Sequence, residues 1–310
     1  MKQKVKATVI SQKELTTGIF DLWIKTDLAK EAHCGQFVGV YTSDASKLLP
    51  RPISICEVSD EFDALRLVYR VTSDNSGTAL ISKLKSGDEV DIIGILGNGY
   101  IFTDIFGENM ERACGSTGCT AALQGASAGA FGSTECTAAQ KGAAVGTCET
   151  PAHVVLLGGG IGIPPMLQTA KELVAHGVKP TVIVGYRDKN MFLNQDLIRY
   201  GTLLIASEDG SVGTKGNVLN VVDKLERKPD IIMACGPMPM LRAIKRYAED
   251  ECNNGHNVSA YISLEERMAC GVGACLGCVA KTKNVDAHSH VNNTRICTDG
   301  PVFNAQDVDI

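Results

Sequence analysis

Apolar and polar residues alternate in short runs over the first hundred positions. The strand-length stretches are Val5–Ile10, Ile19–Lys25, Phe37–Tyr41, Ile53–Val58, Leu65–Val71 and Glu89–Ile93, with turn residues between them, as in Ser73-Asp74-Asn75-Ser76-Gly77. Alternation at every second position buries one strand face and wets the other, and many such strands with regular turns predict a small antiparallel barrel. One helix, Thr78–Leu84, opens just after Ser76-Gly77. Beyond residue 150 the pattern changes to apolar strands alternating with helical segments. These are strand His153–Leu157, helix Met166–Val174, strands Thr181–Val184 and Thr202–Ala206, helix Val218–Leu225, strand Ile231–Ala234 and helix Met238–Glu249. That rhythm predicts a doubly wound parallel sheet whose ligands bind at the carboxyl ends of its strands.

Neither pattern explains the last fifty residues, where cysteines carry the signal. Four residues separate Cys270 from Cys275, two separate Cys275 from Cys278, and eighteen separate Cys278 from Cys297. C-x4-C-x2-C with a distant fourth cysteine is the plant-type ligand spacing of a [2Fe-2S] cluster. Thiolates suit iron because sulfur is a soft ligand. Gly271, Gly273 and Gly277 let the backbone curl closely around such a group. Tetrahedral zinc favours two C-x2-C pairs, and only one is present. The four cysteines are therefore the expected metal ligands, and a one-electron centre needs both a donor and an acceptor.

Composition narrows the setting. With 310 residues the chain has room for two or three domains, and a formal net charge of -5 argues against nucleic acid or an anionic membrane surface as partner. No apolar run approaches the roughly 20 residues of a membrane span. The amino terminus runs straight into a strand pattern with no signal-peptide core, so the twelve cysteines point to metal chemistry in a reducing cytoplasm. Between about Glu111 and Pro151 the composition turns to Ala, Gly, Ser, Thr and Cys. Here Gly115-Ser116-Thr117-Gly118-Cys119-Thr120-Ala121-Ala122 returns seventeen residues later as Gly132-Ser133-Thr134-Glu135-Cys136-Thr137-Ala138-Ala139. Side chains this small build no core, and the segment reads as a dispensable interdomain insertion. A second metal site on Cys114, Cys119, Cys136 and Cys148 is the sharper alternative, and redox-sensing thiols are a third.

Candidate binding residues lie in both large domains. Arg51-Pro52-Ile53-Ser54 offers a guanidinium, a rigid turn and a hydroxyl, and Gly77-Thr78 at a helix start suits a phosphate. Gly158-Gly159-Gly160-Ile161-Gly162-Ile163-Pro164-Pro165 follows a strand and opens a helix, an arrangement that aims backbone N–H groups at a phosphate. Pro165 stands where a G-x-G-x-x-G motif has its third glycine, so a Rossmann dehydrogenase is the weaker match. Three loops fall at strand carboxyl ends: Gly185-Tyr186-Arg187-Asp188, Glu208-Asp209-Gly210-Ser211 and Cys235-Gly236-Pro237-Met238. Asp209, Cys235, Gly236 and Pro237 are the binding candidates taken from them. Arg187 would meet a 2′-phosphate and Asp188 a ribose hydroxyl, so NAD and NADP are not separated by these residues.

The Arg-x-x-Ser strand, the Gly-Thr helix start and the Gly-Gly-x-Gly-x-x-Pro turn together resemble the ferredoxin-reductase superfamily. That resemblance implies that Arg51 contacts the FAD pyrophosphate and that Ser54 lies near the isoalloxazine. It also implies that Gly77 and Thr78 bind FAD phosphates, that Val68-Tyr69-Arg70 lines the flavin, and that Cys235 lies by the nicotinamide. Gly94–Tyr100 closes such a barrel. Ser263–Cys278, with Cys297-Thr298-Asp299-Gly300-Pro301-Val302-Phe303, resembles the electron-transfer subunits of dihydroorotate dehydrogenase B. The likeness covers the chain apart from Glu111–Thr150 and a long stretch between Cys278 and Cys297.

It implies a ferredoxin-reductase-like, multidomain α/β plus all-β chain. The expected parts are an FAD-binding β-barrel (1–102), an insertion and linker (103–151), an NAD-binding α/β domain (152–252) and a [2Fe-2S] domain (253–310). It further implies an FMN-containing catalytic subunit as partner, two chains of each kind in a heterotetramer, and a relay from that FMN through the cluster and FAD to NAD in pyrimidine synthesis. The same modules occur in flavin subunits of hydrogenases and NADH-ferredoxin transhydrogenases. A non-catalytic redox sensor is a further alternative.

Overall fold

The computed structural model describes residues 3–106, 151–285 and 290–310. The insertion proposed for 111–150, with its four cysteines, lies outside them. Two compact units divide the chain: residues 1–101 together with 153–310, and residues 102–152.

The larger unit begins with six strands, β1 (Lys4–Thr16), β2 (Ile19–Lys25), β3 (Phe37–Val40), β4 (Arg51–Val58), β5 (Ala64–Arg70) and β6 (Glu89–Leu96), with helix α1 (Gly77–Ile81) between the last two. They close into an antiparallel barrel in the order β1-β2-β5-β4-β3-β6. Inward positions fill its core, among them Leu22, Ile24, Ile55, Leu65, Leu67 and Ile92, all fully buried. β1 runs six residues beyond its expected end at Ile10, its outer half pairing with β2 around two register shifts. The extension is the polar run Ser11-Gln12-Lys13-Glu14, which lacks the alternation that marks a half-buried strand.

Residues 102–106 form a short helix, α2 (Phe102–Phe106), in which the two phenylalanine rings meet edge to face at 5.9 Å. The α/β part then contains β7 (Val154–Gly159), α3 (Pro164–Ala175), β8 (Thr181–Tyr186), α4 (Asn194–Leu197), β9 (Thr202–Ser207), β10 (Thr214–Lys215), α5 (Val218–Val222), β11 (Ile231–Cys235), α6 (Met238–Asn253) and β12 (Ser259–Ser263). After it come β13 (Val279–Thr282), β14 (Asn293–Arg295), β15 (Val302–Asn304) and β16 (Val308–Asp309). A seven-stranded sheet has the order β10-β9-β8-β7-β11-β12-β15, parallel except for β15. From β7 the chain builds outward to β8 and β9, then returns to β11 on the other side, so the strand order reverses between β7 and β11. Ligands of such sheets bind at that reversal.

Two strands of this sheet, β12 and β15, come from the segment that the sequence assigned to the cluster domain. Ser-Ala-Tyr-Ile-Ser is too short and too mixed to stand out as a strand, and register with β11 makes it one. Cys278, Ile296, Cys297, Ala305 and Val308 share one buried core with β7, β8 and β11. The small sheet β14-β13-β16 completes this end.

The barrel is fastened to the α/β part by polar contacts. On α3, the Gln168 amide oxygen accepts from Val58 N–H, Glu172 accepts from Cys34 N–H (both 2.8 Å), and Lys171 donates to Val58 C=O at 2.7 Å. Arg66, 6% exposed, donates twice to Asp21, which is 1% exposed, at 2.9 and 3.0 Å. The same guanidinium reaches Glu57 at 3.1 Å and, across to α4, Asp196 at 3.3 Å. Removing one partner of such a buried pair leaves an uncompensated charge. Arg66→Ala is therefore expected to lower stability in urea by about 3 kcal/mol; a change below about 1 kcal/mol would show that Asp21 is solvated by other means.

Candidate functional site

The thiols come together on a loop held by the carboxyl-terminal strands. Cys278 and Cys297 are buried, Cys270 is half-buried and Cys275 exposed. The Cys270 sulfur accepts N–H groups from Cys275 at 3.4 Å and Val272 at 3.5 Å. Gly271 and Gly273, at φ +69° and +80°, give the loop turns that side chains resist. The Cys270 thiol interacts with that of Cys275, and the Cys297 thiol with those of Cys278 and Cys270. Among the described residues, no three His, Cys, Asp or Glu side chains converge as around one metal ion. Four interacting thiols supply the four cysteine ligands that a [2Fe-2S] centre takes. Burial works to raise the Cys270 thiol, but the N–H groups of Val272, Cys275 and Ala274 outweigh it and lower it to about 7. Burial first, then the neighbouring Cys278 thiol, pushes Cys297 up to about 11.

Asp299 braces the loop around Cys297. Its carboxylate accepts from Arg295 N–H at 2.9 Å and from the Arg295 guanidinium at 3.0 Å, with both threonine hydroxyls, Thr294 and Thr298, at 3.2 and 3.0 Å. Burial opposes the charge on Asp299, and those donors hold it below its ordinary value.

In the barrel, Arg51 and Gly77 lie against each other although 26 residues apart in sequence: a methyl group at Gly77 would overlap the Arg51 guanidinium. Ser76 caps α1, accepting from Ala79 N–H at 3.1 Å, and its hydroxyl meets that of Thr78 at 2.9 Å. The structure thus gathers the guanidinium and the Gly77-Thr78 helix start into one cradle with the chemistry a pyrophosphate needs. Pro52 is exposed and Ser54 half-buried, while Ile53 packs into the barrel core. Of Val68-Tyr69-Arg70, Val68 is buried and Tyr69 points inward, stacked on Phe20 and donating to the Gln12 side chain at 2.8 Å. Burial raises the Tyr69 phenol well above its ordinary value. Only Arg70 of the three is exposed.

Arg70 opens onto a cleft of about 560 Å³ at the carboxyl ends of the parallel strands. Gly159, Gly160, Gly236 and Pro237 line it, and so do Arg187, Asp188, Glu208 and Glu265. Gly158 lies just behind, packed on Ile163, and Gly162 sits so close to the Cys235 carbonyl that a Cβ would overlap it. The glycine turn and the Cys-Gly-Pro loop therefore meet because β7 and β11 are neighbours at the reversal of strand order. Cys235 is fully buried; burial, then the Glu265 carboxylate, pushes its thiol well above the usual range.

Asp209 does not line this cleft. Its carboxylate accepts from Ser211 N–H at 2.9 Å within its own loop, a bond that lowers its pKa. The adjacent Glu208 faces the cleft instead. Asp188 accepts from Asn190 N–H at 2.8 Å. Glu265 had no role in the sequence reading, because it follows β12, a strand that the pattern did not reveal. Burial on its protein side raises the Glu265 carboxyl, with Arg70 opposing.

Comparison with known proteins agrees with this layout. The family described as the iron-sulfur cluster binding domain of dihydroorotate dehydrogenase B matches residues 265–309. The chain is 34% identical over 301 residues to the dihydroorotate dehydrogenase B (NAD(+)) electron transfer subunit of Streptococcus mutans, covering 97% of this chain and 96% of that one. It is also 34% identical over 311 residues to the corresponding Geobacillus subunit, covering 99% of each. Among solved structures, an NADH-dependent reduced ferredoxin-NADP oxidoreductase aligns with a TM-score of 0.73 at 25% identity, over 98% of this chain and 89% of that one. A ferredoxin NADP+ reductase from Neisseria gonorrhoeae with bound FAD and NADP shares the fold, with a TM-score of 0.56 at 14% identity over 80% of this chain and 91% of that one.

The unequal thiols make a prediction for the chain stripped of metal. Only thiolates alkylate, so iodoacetamide should modify Cys270 increasingly as pH rises through about 7, while Cys297 stays protonated until about 11. Peptide mass spectrometry at neutral pH reads the order, and equal labelling of Cys270 and Cys297 would contradict the loop geometry.

Proposed function

The chain belongs to the family of dihydroorotate dehydrogenase B electron transfer subunits, and from that premise we propose that it carries electrons from a partner's FMN to NAD in pyrimidine synthesis. Cys270, Cys275, Cys278 and Cys297 are the residues to hold a [2Fe-2S] cluster. Arg51, Ser54, Gly77 and Thr78 are those to hold FAD, and the cleft lined by Gly159, Gly160, Gly236 and Pro237, with Gly158, Gly162 and Cys235 packed behind it, is the place for NAD. Nicotinamide exchanges hydride, a cluster exchanges single electrons, and a flavin handles both. The protein's part is to bind, orient and separate these groups.

One observation carries the reading: the barrel touches both other sites at different places. Arg70 at its rim lies near Gly160 and Glu265 of the cleft, and Leu96 at the end of β6 packs on Gly271 of the cluster loop. A flavin in the barrel would have the nicotinamide on one flank and the cluster on the other. We assign dihydroorotate oxidation to the FMN-bearing catalytic subunit, with two chains of each kind in the complex. We take the chain to act in the cytoplasm. That fits the eight free cysteines among the described residues, where no helix is long and apolar enough to cross a membrane. The oxidoreductase neighbour at 25% identity shares the modules, but relatives at 33–35% identity over 95–99% of the chain favour dihydroorotate-linked electron transfer.

Co-expression with an FMN-dependent dihydroorotate dehydrogenase is expected to give a stable complex that reduces NAD with dihydroorotate. Cys275→Ser should abolish the visible absorption of the cluster and the NAD-linked turnover while FAD stays bound. No turnover in a fully loaded wild-type complex, or wild-type turnover in the Cys275→Ser complex, would overturn the assignment.

A further inference from the structure

The geometry points to Asn98 as the residue that positions the Cys297 loop against the flavin barrel, an inference that rests on the relay reading above. Asn98 lies two residues past the end of β6. Its side-chain amide donates to Thr298 C=O at 3.1 Å and to Asp299 C=O at 3.3 Å. Its backbone N–H donates to Gly300 C=O at 2.5 Å, and Asn98 pairs with Pro301 in an isolated parallel bridge. Gln36 holds the segment from behind, donating to Gly97 C=O at 3.0 Å. Gly97 itself packs so closely on Gly300 and Pro301 that a Cβ there would come within 2.6 Å of the proline ring.

These contacts reach beyond the residue after Cys297. A Cβ on Gly273 would come within 2.9 Å of the Thr298 methyl, so the loop carrying Cys270 and Cys275 rests on Thr298. The Arg295–Asp299 pair braces the loop internally, but both partners lie within it. Asn98 instead relates the loop to the barrel. A primary amide presents two N–H donors on one nitrogen; an ionised carboxylate of nearly the same shape presents none. Asn98→Asp therefore sets a carboxylate against two carbonyl oxygens without changing side-chain volume. Asn98→Ala removes the donors without adding charge. Electron transfer falls off exponentially with the distance between donor and acceptor, so a displaced Cys297 loop slows exchange between the barrel and the cluster.

The test uses the holoprotein as wild type, N98D and N98A. Iron, sulfide and FAD are counted per chain, and flavin and cluster absorption are followed after anaerobic mixing with NADH. The electron paramagnetic resonance spectrum is recorded after dithionite reduction. Both variants are expected to keep their cofactors and the wild-type rate of flavin reduction. Cluster reduction should be slower than in the wild type in both variants, with a broadened spectrum. Wild-type cluster reduction and an unchanged spectrum in both variants would overturn the inference. So would loss of iron from both, since Asn98 would then retain the cluster rather than position it. If NADH fails to reduce the wild-type cluster, the relay reading is what fails, and the dithionite spectra alone decide the role of Asn98.

Discussion

The Cys34 carbonyl accepts the Tyr100 N–H at 3.1 Å, with Gly99 pressed so closely beneath it that any side chain there would collide. On either side of this contact, Asn98 is bonded to residues 298–300, and the Tyr100 hydroxyl donates to Ala234 C=O, deep in the parallel sheet, at 3.1 Å. A segment of four residues, 97–100, thus ties the barrel, the nucleotide sheet and the cluster loop to one another. Tyr100 is buried, and its hydroxyl would cost about 1–3 kcal/mol if left unpaired, while the exposed Asn98 adds bonds that set direction, so the three parts are held in one arrangement. An electron relay needs that arrangement more than it needs any single reactive side chain.

Strand order supplies the second constraint. Because the strand order reverses between β7 and β11, the glycine turn and the Cys235 loop face each other across a crevice, and the barrel closes one end of it with Arg70. Glu265 enters the same crevice from β12, immediately ahead of the cysteine loop. Glu265, two residues past the end of β12, thus opens the segment that carries the cysteines, and the sheet shares a core with Cys278 and Cys297.

Much of this was legible in the chain. Alternation revealed the barrel strands because each has one wet and one buried face. The cysteine spacing was equally plain, since a cluster constrains separation along the chain directly. Arg51 and Gly77 could be named singly, but their contact depends on barrel closure, which local pattern does not encode. The family resemblance places Tyr69 on the flavin-lining strand, and the structure shows its ring packed toward the barrel core. Asp209 and Glu208 differ by one residue, and only the hydrogen bond to Ser211 shows which carboxylate is engaged in its own loop. β12 escaped notice because five mixed residues become a strand only beside β11, and Glu265 was hidden with it.

The most direct test of the three-way tie is hydrogen exchange on the holoprotein. The amides of Asn98 and Tyr100 lie within the tie, donating to Gly300 and Cys34, and the Leu264 amide donates to Pro301 beside it. They should exchange together, at the slow rate of the strands around them and only through global opening. Fast local exchange of peptides spanning 297–301, with the barrel and sheet still protected, would mean that the cluster loop moves independently, and would contradict the account.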